Sequence, residues 1–216
     1  MTTEATEAAA SLPDAVAIDP YAPPEAGLSD PAQATPRNRY YVVSAAKYWS
    51  LELVTTGLYG LVWMYQHWAH IKRASRGDEW PVMRAIFPVF FMHSLAAEID
   101  QTLRRARIIH AWAPAGMATG AVVGLIAARL FDRVPATVVS ENAAMGISMA
   151  LVAVIAAFKW RIQVAANLAC GDPEGRGNGT FSTANIVWLV LFGLFWLLVG
   201  LVFAAAAFFP EVFASV

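Results

Sequence analysis

A chain of 216 residues is long enough for one modest domain, but 58% of its residues are hydrophobic and only 14% are charged. A soluble core of that size cannot hide so much apolar side chain, so the composition excludes an ordinary soluble globule. A net charge of -1 removes any global electrostatic case for nucleic acid, and a single cysteine, Cys170, excludes an intrachain disulfide.

Residues 1–39 hold six of the twelve prolines and six acidic residues before Pro31, with no base until Arg37. Such a segment buries too little apolar surface to offset its ordering entropy and is expected to be a disordered acidic Pro/Ala-rich tail. It lacks a basic start followed by an apolar core, so the first spanning helix is expected to serve as the membrane signal. Residues 40–216 are then a helical membrane domain.

A spanning helix needs about 20 predominantly apolar residues to cross a hydrocarbon core of roughly 30 Å. The fold class expected on that count is an all-α integral membrane protein with four transmembrane helices and one interfacial or half-inserted helix. The spans fall at about 51–71, 108–130, 142–160 and 186–209, and the interfacial or re-entrant helix at about 82–100. The first run, Leu53 to Ile71, carries no Asp, Glu, Lys or Arg but is rich in polar and aromatic side chains. Helical spacing sets Glu52, Thr56, Tyr59, Trp63, His67 and His70 along one side of it, and that side is expected to face protein rather than lipid.

Three readings of this face stay open: interhelical hydrogen bonding within an aromatic belt, passage of protons or a small solute, and a metal site. In the last, His67 and His70 meet His93 and Glu98 from the half-inserted segment, giving nitrogen and oxygen ligands suited to zinc or another transition ion. The other cofactor expectation is none.

Segment 82–100 is interrupted by Pro88, His93 and Ser94, so its apolar stretch is too short to cross on its own; a fifth, kinked span is the rival. Around it, Lys72, Arg73, Arg76, Arg84, Arg104, Arg105 and Arg107 form a basic cluster that marks the cytoplasmic side and can attract anionic lipid headgroups. With four spans and the tail outside, these seven join Lys159, Arg161 and Arg176 inside, ten Lys and Arg against five; with five spans and the tail inside the count is nine against six. Both arrangements put Arg104 to Arg107 and Cys170 in the cytoplasm and the C-terminus outside.

In the next run Gly116, Gly120, Gly124 and Ala128 repeat every four residues, a ridge that lets helix backbones approach closely. The last helix, with Gly193 and Gly200, offers a matching face, and a homodimer seam is the rival use of the ridge. The glycines between Cys170 and Asn185 lack the strand and the Gly-Lys-Ser/Thr ending of a phosphate loop and read as a flexible connection, with Ser182 or Thr183 as N-cap of the final helix.

Thr56-Gly57-Leu58-Tyr59, Trp63-Met64-Tyr65, Trp68, Arg84-Ala85-Ile86-Phe87 and Phe90-Phe91 together resemble a bacterial family of uncharacterised multi-pass membrane proteins. In it a Thr-x-Gly-x-Tyr run leads to a Trp-x-Tyr-x-x-Trp helix and then to an Arg-Ala-x-Phe segment. Gln163, Asn167 and Asn185 ahead of a Gly-rich apolar helix are similar as well, so the likeness covers roughly Tyr40 to Gly200. The family carries a domain-of-unknown-function label, and the resemblance implies a bacterial inner (cytoplasmic) membrane and no activity.

No nucleophile with its base, paired carboxylates or cofactor fingerprint stands out, so an enzyme is the least favoured class. The expected role is a non-enzymatic accessory or scaffold protein that binds another envelope protein, a second copy of itself or lipids. The alternative is a small transporter or channel subunit.

Overall fold

The structure, a computed structural model, describes residues 38–208, the side chains of Ala206 and Ala207 excepted. The expected tail, 1–39, lies almost entirely outside the described residues. Seven helices follow in order: α1 (Ala45–Val54), α2 (Tyr59–Ser75), α3 (Pro81–Ile86), α4 (Pro88–Arg105), α5 (Pro114–Phe131), α6 (Glu141–Ala169) and α7 (Thr183–Phe208), with one 3-10 turn at Arg176–Asn178. No strand occurs among the described residues.

Among the described residues three helices, not four, are long and apolar enough to cross a membrane: α5, α6 and α7 over Thr183–Ala205. Their runs hold 18, 29 and 23 residues, and at about 1.5 Å per residue each reaches roughly the thickness of a bilayer core. The α6 helix continues well past the expected end near residue 160, because Lys159, which looked like a flanking charge, is buried. The most apolar window of α7 has no buried residue.

The expected first span, 51–71, is instead two helices with a turn between them. The cause is local. Gly57 N–H returns to Glu52 O at 2.8 Å and Thr56 N–H to Leu53 O at 3.1 Å, the paired bonds of a Schellman cap. That cap places Thr56 in the left-handed region at φ 51, and Gly57 follows at φ 85. A glycine tolerates such a backbone freely, whereas a β-branched threonine does not, so the turn is held by its surroundings.

The two helices fold back on each other. Ser44, just before α1, caps that helix through Lys47 N–H, and Lys47 reaches Asn178 and Thr180 in the loop after α6. His70, in the last turns of α2, contacts Asn38 O at 3.1 Å. Both ends of the α1–α2 hairpin therefore lie at the Cys170 end of the bundle. Its tip, the turn at Thr56 and Gly57, lies beside Val152 of α6, seventeen residues before Ala169, or about 25 Å from that end at the helical rise. The hairpin therefore enters and leaves at the same end of the bundle.

The expected helix at 82–100 is likewise broken, at Phe87–Pro88, into α3 and α4. Proline opens each of them, where its missing N–H costs nothing. Leu95, Ala96, Ile99 and Leu103 bury one face of α4, while Val82, Ile86, Phe87 and Phe90 of the elbow are exposed.

The glycine ridge of α5 packs on α6, not on the last helix. A Cβ at Gly120 would stand 2.4 Å from the Phe158 ring, and one at Gly124 2.6 Å from Ile155 Cγ1, so only glycine permits this approach. The pairings also show that the helices run antiparallel. Gly116 is less crowded, with Ala113 Cβ at 3.5 Å, and nothing lies within 4 Å of a Cβ built at Gly193 or Gly200. Among the described residues α7 packs on α1 alone, anchored where Trp196 Nε1 donates to Val54 O at 3.0 Å.

Candidate functional site

A column of buried polar side chains runs down the inner face of α6, on Lys159, Gln163 and Asn167. Spaced four apart, these residues share one side of the helix, and all three are buried. Each meets a different part of the α1–α2 hairpin or of the segment that leads into it.

At the deepest point Lys159 Nζ donates to Glu52 Oε1, forming an ion pair with side chains 5% and 1% exposed. Lys159 also stands 5.6 Å from the centre of the Trp63 ring. Gly60 makes room for it, since a Cβ there would lie 2.4 Å from Nζ. The second carboxylate oxygen, Glu52 Oε2, has no partner.

One turn nearer the Cys170 end, Gln163 fixes the hydrogen-bond directions of its neighbours. Its amide nitrogen donates to Tyr41 O at 2.9 Å and to Asn167 Oδ1 at 2.7 Å. Its carbonyl oxygen must then accept, from Trp63 Nε1 at 2.6 Å and from His67 Nε2 at 3.1 Å. His67 therefore carries its proton on Nε2, and its Nδ1, fully buried, is left without a partner. Beside it the Tyr41 and Tyr59 hydroxyls meet at 3.1 Å.

Nearest the Cys170 end, Asn167 holds the extended segment before α1, accepting from Val43 N–H at 3.3 Å and donating to Val43 O at 3.0 Å. Asn178 Nδ2 donates to Val42 O at 2.8 Å, and a Cβ at Gly175 would fall 2.2 Å from Val43 O. The glycine-rich loop thus owes one glycine to a close backbone approach, reinforced by a φ of 67. Tyr40, fully buried, donates to Glu98 O at 2.9 Å and shares a 2.6 Å bond with Thr102 Oγ1. Burial pushes its phenol up to about 12. The Cys170 thiol beside it is also pushed up, by burial.

The residues expected on one polar face are therefore divided: Glu52 on α1, Thr56 in the turn, and Tyr59, Trp63, His67 and His70 on α2. The four candidate metal ligands are not brought together. His67 bonds Gln163, His70 bonds Asn38 O, His93 bonds Thr119 Oγ1 at 3.0 Å, and Glu98 pairs with Arg39. Among the described residues no group of three His, Cys, Asp or Glu is arranged to hold a metal ion. Of the basic cluster, Lys72, Arg73, Arg76, Arg104, Arg105 and Arg107 are exposed, whereas Arg84 lies 3.9 Å over the Trp68 ring.

Two open clefts of about 610 and 490 Å³ lie at the Cys170 end, one between α4 and the start of α5 and one beside Tyr41 and His70. In the first, Asp100 is taken up by Arg104 at 2.6 Å and Trp112 Nε1 at 3.1 Å. Sequence reasoning missed Lys159, Gln163 and Asn167 as a set, although their spacing by fours within an apolar run was a usable signal. No protein-family model, curated protein or solved structure matches the chain.

Proposed function

We propose that this protein is a non-enzymatic accessory or scaffold protein of a bacterial inner membrane, which holds a second membrane protein against α7. The observation that carries this reading is the isolation of α7. It is a long, uncharged helix that among the described residues touches α1 alone, and the positions of Gly193 and Gly200 are open. Inserted helices gain nothing hydrophobic by leaving lipid, so close packing on small residues is the main way one recruits another. The basic end supplies a second contact, to anionic headgroups, worth about 1 kcal/mol per exposed Lys or Arg near the surface. The polar column favours this reading as well, because Trp63, Gln163 and Asn167 spend their hydrogen-bonding groups on tying the hairpin to α6.

Cysteine cross-linking in native membranes tests it, in a Cys170→Ser background with single cysteines at Gly193, Gly200 or Leu194. The expected result is one defined adduct from the glycine positions, to a second copy or to another membrane protein. Absence of any adduct along α7 would sink the proposal.

A further inference from the structure

Arg84 is the one member of the basic cluster that the fold half-buries, and aromatic rings hold it in place of an acid. Its guanidinium lies 3.9 Å over the Trp68 ring and 5.4 Å from the centre of the Phe91 ring. None of the five ion pairs among the described residues includes it. Glu79, the acid nearest to it in sequence, is turned toward Ser75 and Gly77. A cation over aromatic faces keeps its charge and its donors, so Arg84 still lacks an anionic acceptor.

Heights along the bundle follow from pairs of contacts. Gly120 of α5 packs on Phe158 of α6, and Arg161, three residues nearer the Cys170 end, is exposed. An exposed arginine flanking a spanning run carries its charge to the headgroups, so the headgroup layer lies within a turn or so of Gly120. At that height His93 of α4 shares a 3.0 Å bond with Thr119, and α4 runs antiparallel to α5, since Asp100 meets Trp112. Phe90 and Phe87 therefore lie farther from the Cys170 end than His93, by about 4.5 and 9 Å at the helical rise. Arg84, beside Phe91, stays near the height of His93.

The α3–α4 elbow thus carries a charge level with the headgroups and an apolar tip beyond it. Ile86, Phe87 and Phe90 form that tip, all exposed and Phe90 by 74%. Beside a helix of spanning length, and past an exposed arginine, what covers such side chains is acyl chain. Exposed Lys72, Arg73 and Arg76 close α2, the helix on which α3 packs, and add to the positive field around Arg84.

We propose that the elbow seats one anionic phospholipid, with its phosphate on the Arg84 guanidinium and an acyl chain along Ile86, Phe87 and Phe90. Trp68 and Phe91 hold the guanidinium in place before the phosphate arrives, so little side-chain freedom is lost on binding. The seat rests on the headgroup contact of the scaffold reading and gives it a definite place; α7 takes no part in it.

Photolabelling tests this on the full chain reconstituted in phosphatidylethanolamine vesicles. The vesicles carry a trace of phosphatidylglycerol or of phosphatidylcholine, each with the same diazirine in an acyl chain, and peptide mass spectrometry locates the adducts. The glycerol probe is expected to label Ile86 to Phe90 several-fold more than the choline probe, while the two label α7 alike. Arg84→Gln is expected to bring the glycerol probe down to the level of the choline probe at the elbow. Arg84→Lys, which keeps the charge, is expected to preserve the preference, and so is Arg105→Gln, which removes an exposed charge at the far end of α4. Equal labelling of the natural protein by the two probes, or a preference that survives Arg84→Gln, would overturn the proposal. Loss of the preference in Arg84→Lys would overturn it too, and a fall in Arg105→Gln equal to that in Arg84→Gln would replace the seat with diffuse attraction. A labelled α7 beside a bare elbow would mean that the elbow does not face lipid, and would leave a partner for α7, read by the cysteine cross-links, untouched.

Discussion

Asn167 serves as a strand partner for Val43: one side-chain amide satisfies both the N–H and the C=O of that residue, at 3.3 and 3.0 Å. The segment entering the bundle is extended and has no neighbouring strand, so its backbone groups must find side chains or remain unpaired. Asn167→Leu removes the partners of Val43 N–H, Val43 O and one Gln163 N–H together. At 1–3 kcal/mol for each buried group left unsatisfied, some of it recovered by water, a loss of about 3 kcal/mol is expected. Thermal unfolding in detergent measures the loss, and amide exchange at Val43 localises it; an unchanged exchange rate there would contradict the role.

The hairpin turn stores strain at Thr56, a β-branched residue at φ 51. Substituting glycine relieves it, and Thr56→Gly is expected to raise stability by about 1 kcal/mol despite the greater freedom of the unfolded chain. At Gly57, φ 85, alanine is expected to have the opposite effect. Both are read by the midpoint of thermal unfolding. Equal destabilisation by the two variants would mean that the threonine hydroxyl, which donates to Thr55 O at 2.8 Å, outweighs the backbone.

This turn also explains where the sequence misleads. Hydropathy reads composition along a line, and an uncharged run from Leu53 to Ile71 looks like one span because nothing in it is too polar to insert. The information that breaks it is conformational, in Thr56 and Gly57, and relational, in Glu52 facing a lysine 107 residues away. The same blindness ended the third span too early, since Lys159 reads as a flanking charge until its partner is known. The apolar runs of α5 and α7 were legible because lipid exposure asks only for length and apolarity. The α5 ridge was legible as a seam, but its partner was not, because Gly193 and Gly200 carry the same small-residue signal and face nothing. Histidines offered a metal reading by type alone, while the hydrogen bonds of each depend on contacts no spacing rule encodes.

Tyr40 sets a pH limit on the Cys170 end. Burial raises its phenol from 10.0 to about 12. Between those values the unfolded chain has released a proton that the folded chain retains, so stability falls as pH rises through the window. Two pH units correspond to roughly 2–3 kcal/mol at full effect. Tyr40→Phe is expected to be less stable than the natural protein near neutrality, having lost the bonds to Thr102 and Glu98, but to lose less on going from pH 10 to pH 12. Parallel unfolding curves for the two proteins across that range would count against the assignment.

The α1–α2 hairpin changes the topology that charge counting alone left open. Arg39, Lys47, Lys72, Arg73, Arg76, Arg84, Arg104, Arg105, Arg107 and Arg176 belong to the Cys170 end, whereas Arg129 and Arg133 flank the turn between α5 and α6 at the other. Cytoplasmic flanks retain Lys and Arg, so an asymmetry of ten to two predicts that the Cys170 end faces the cytoplasm. Three crossings then put Phe208, at the end of α7, on the opposite side. Arg39 lies at the Cys170 end, because the hairpin returns to the face it enters, and a cytoplasmic position for it reverses the placement that four spans require. A reporter active only in the cytoplasm, fused ahead of Arg37, is expected to be active, and the same reporter after Val216 is expected to be silent. Activity at the C-terminus together with silence at the N-terminus would invert the whole bundle. Silence at both would restore a fourth crossing and remove the hairpin.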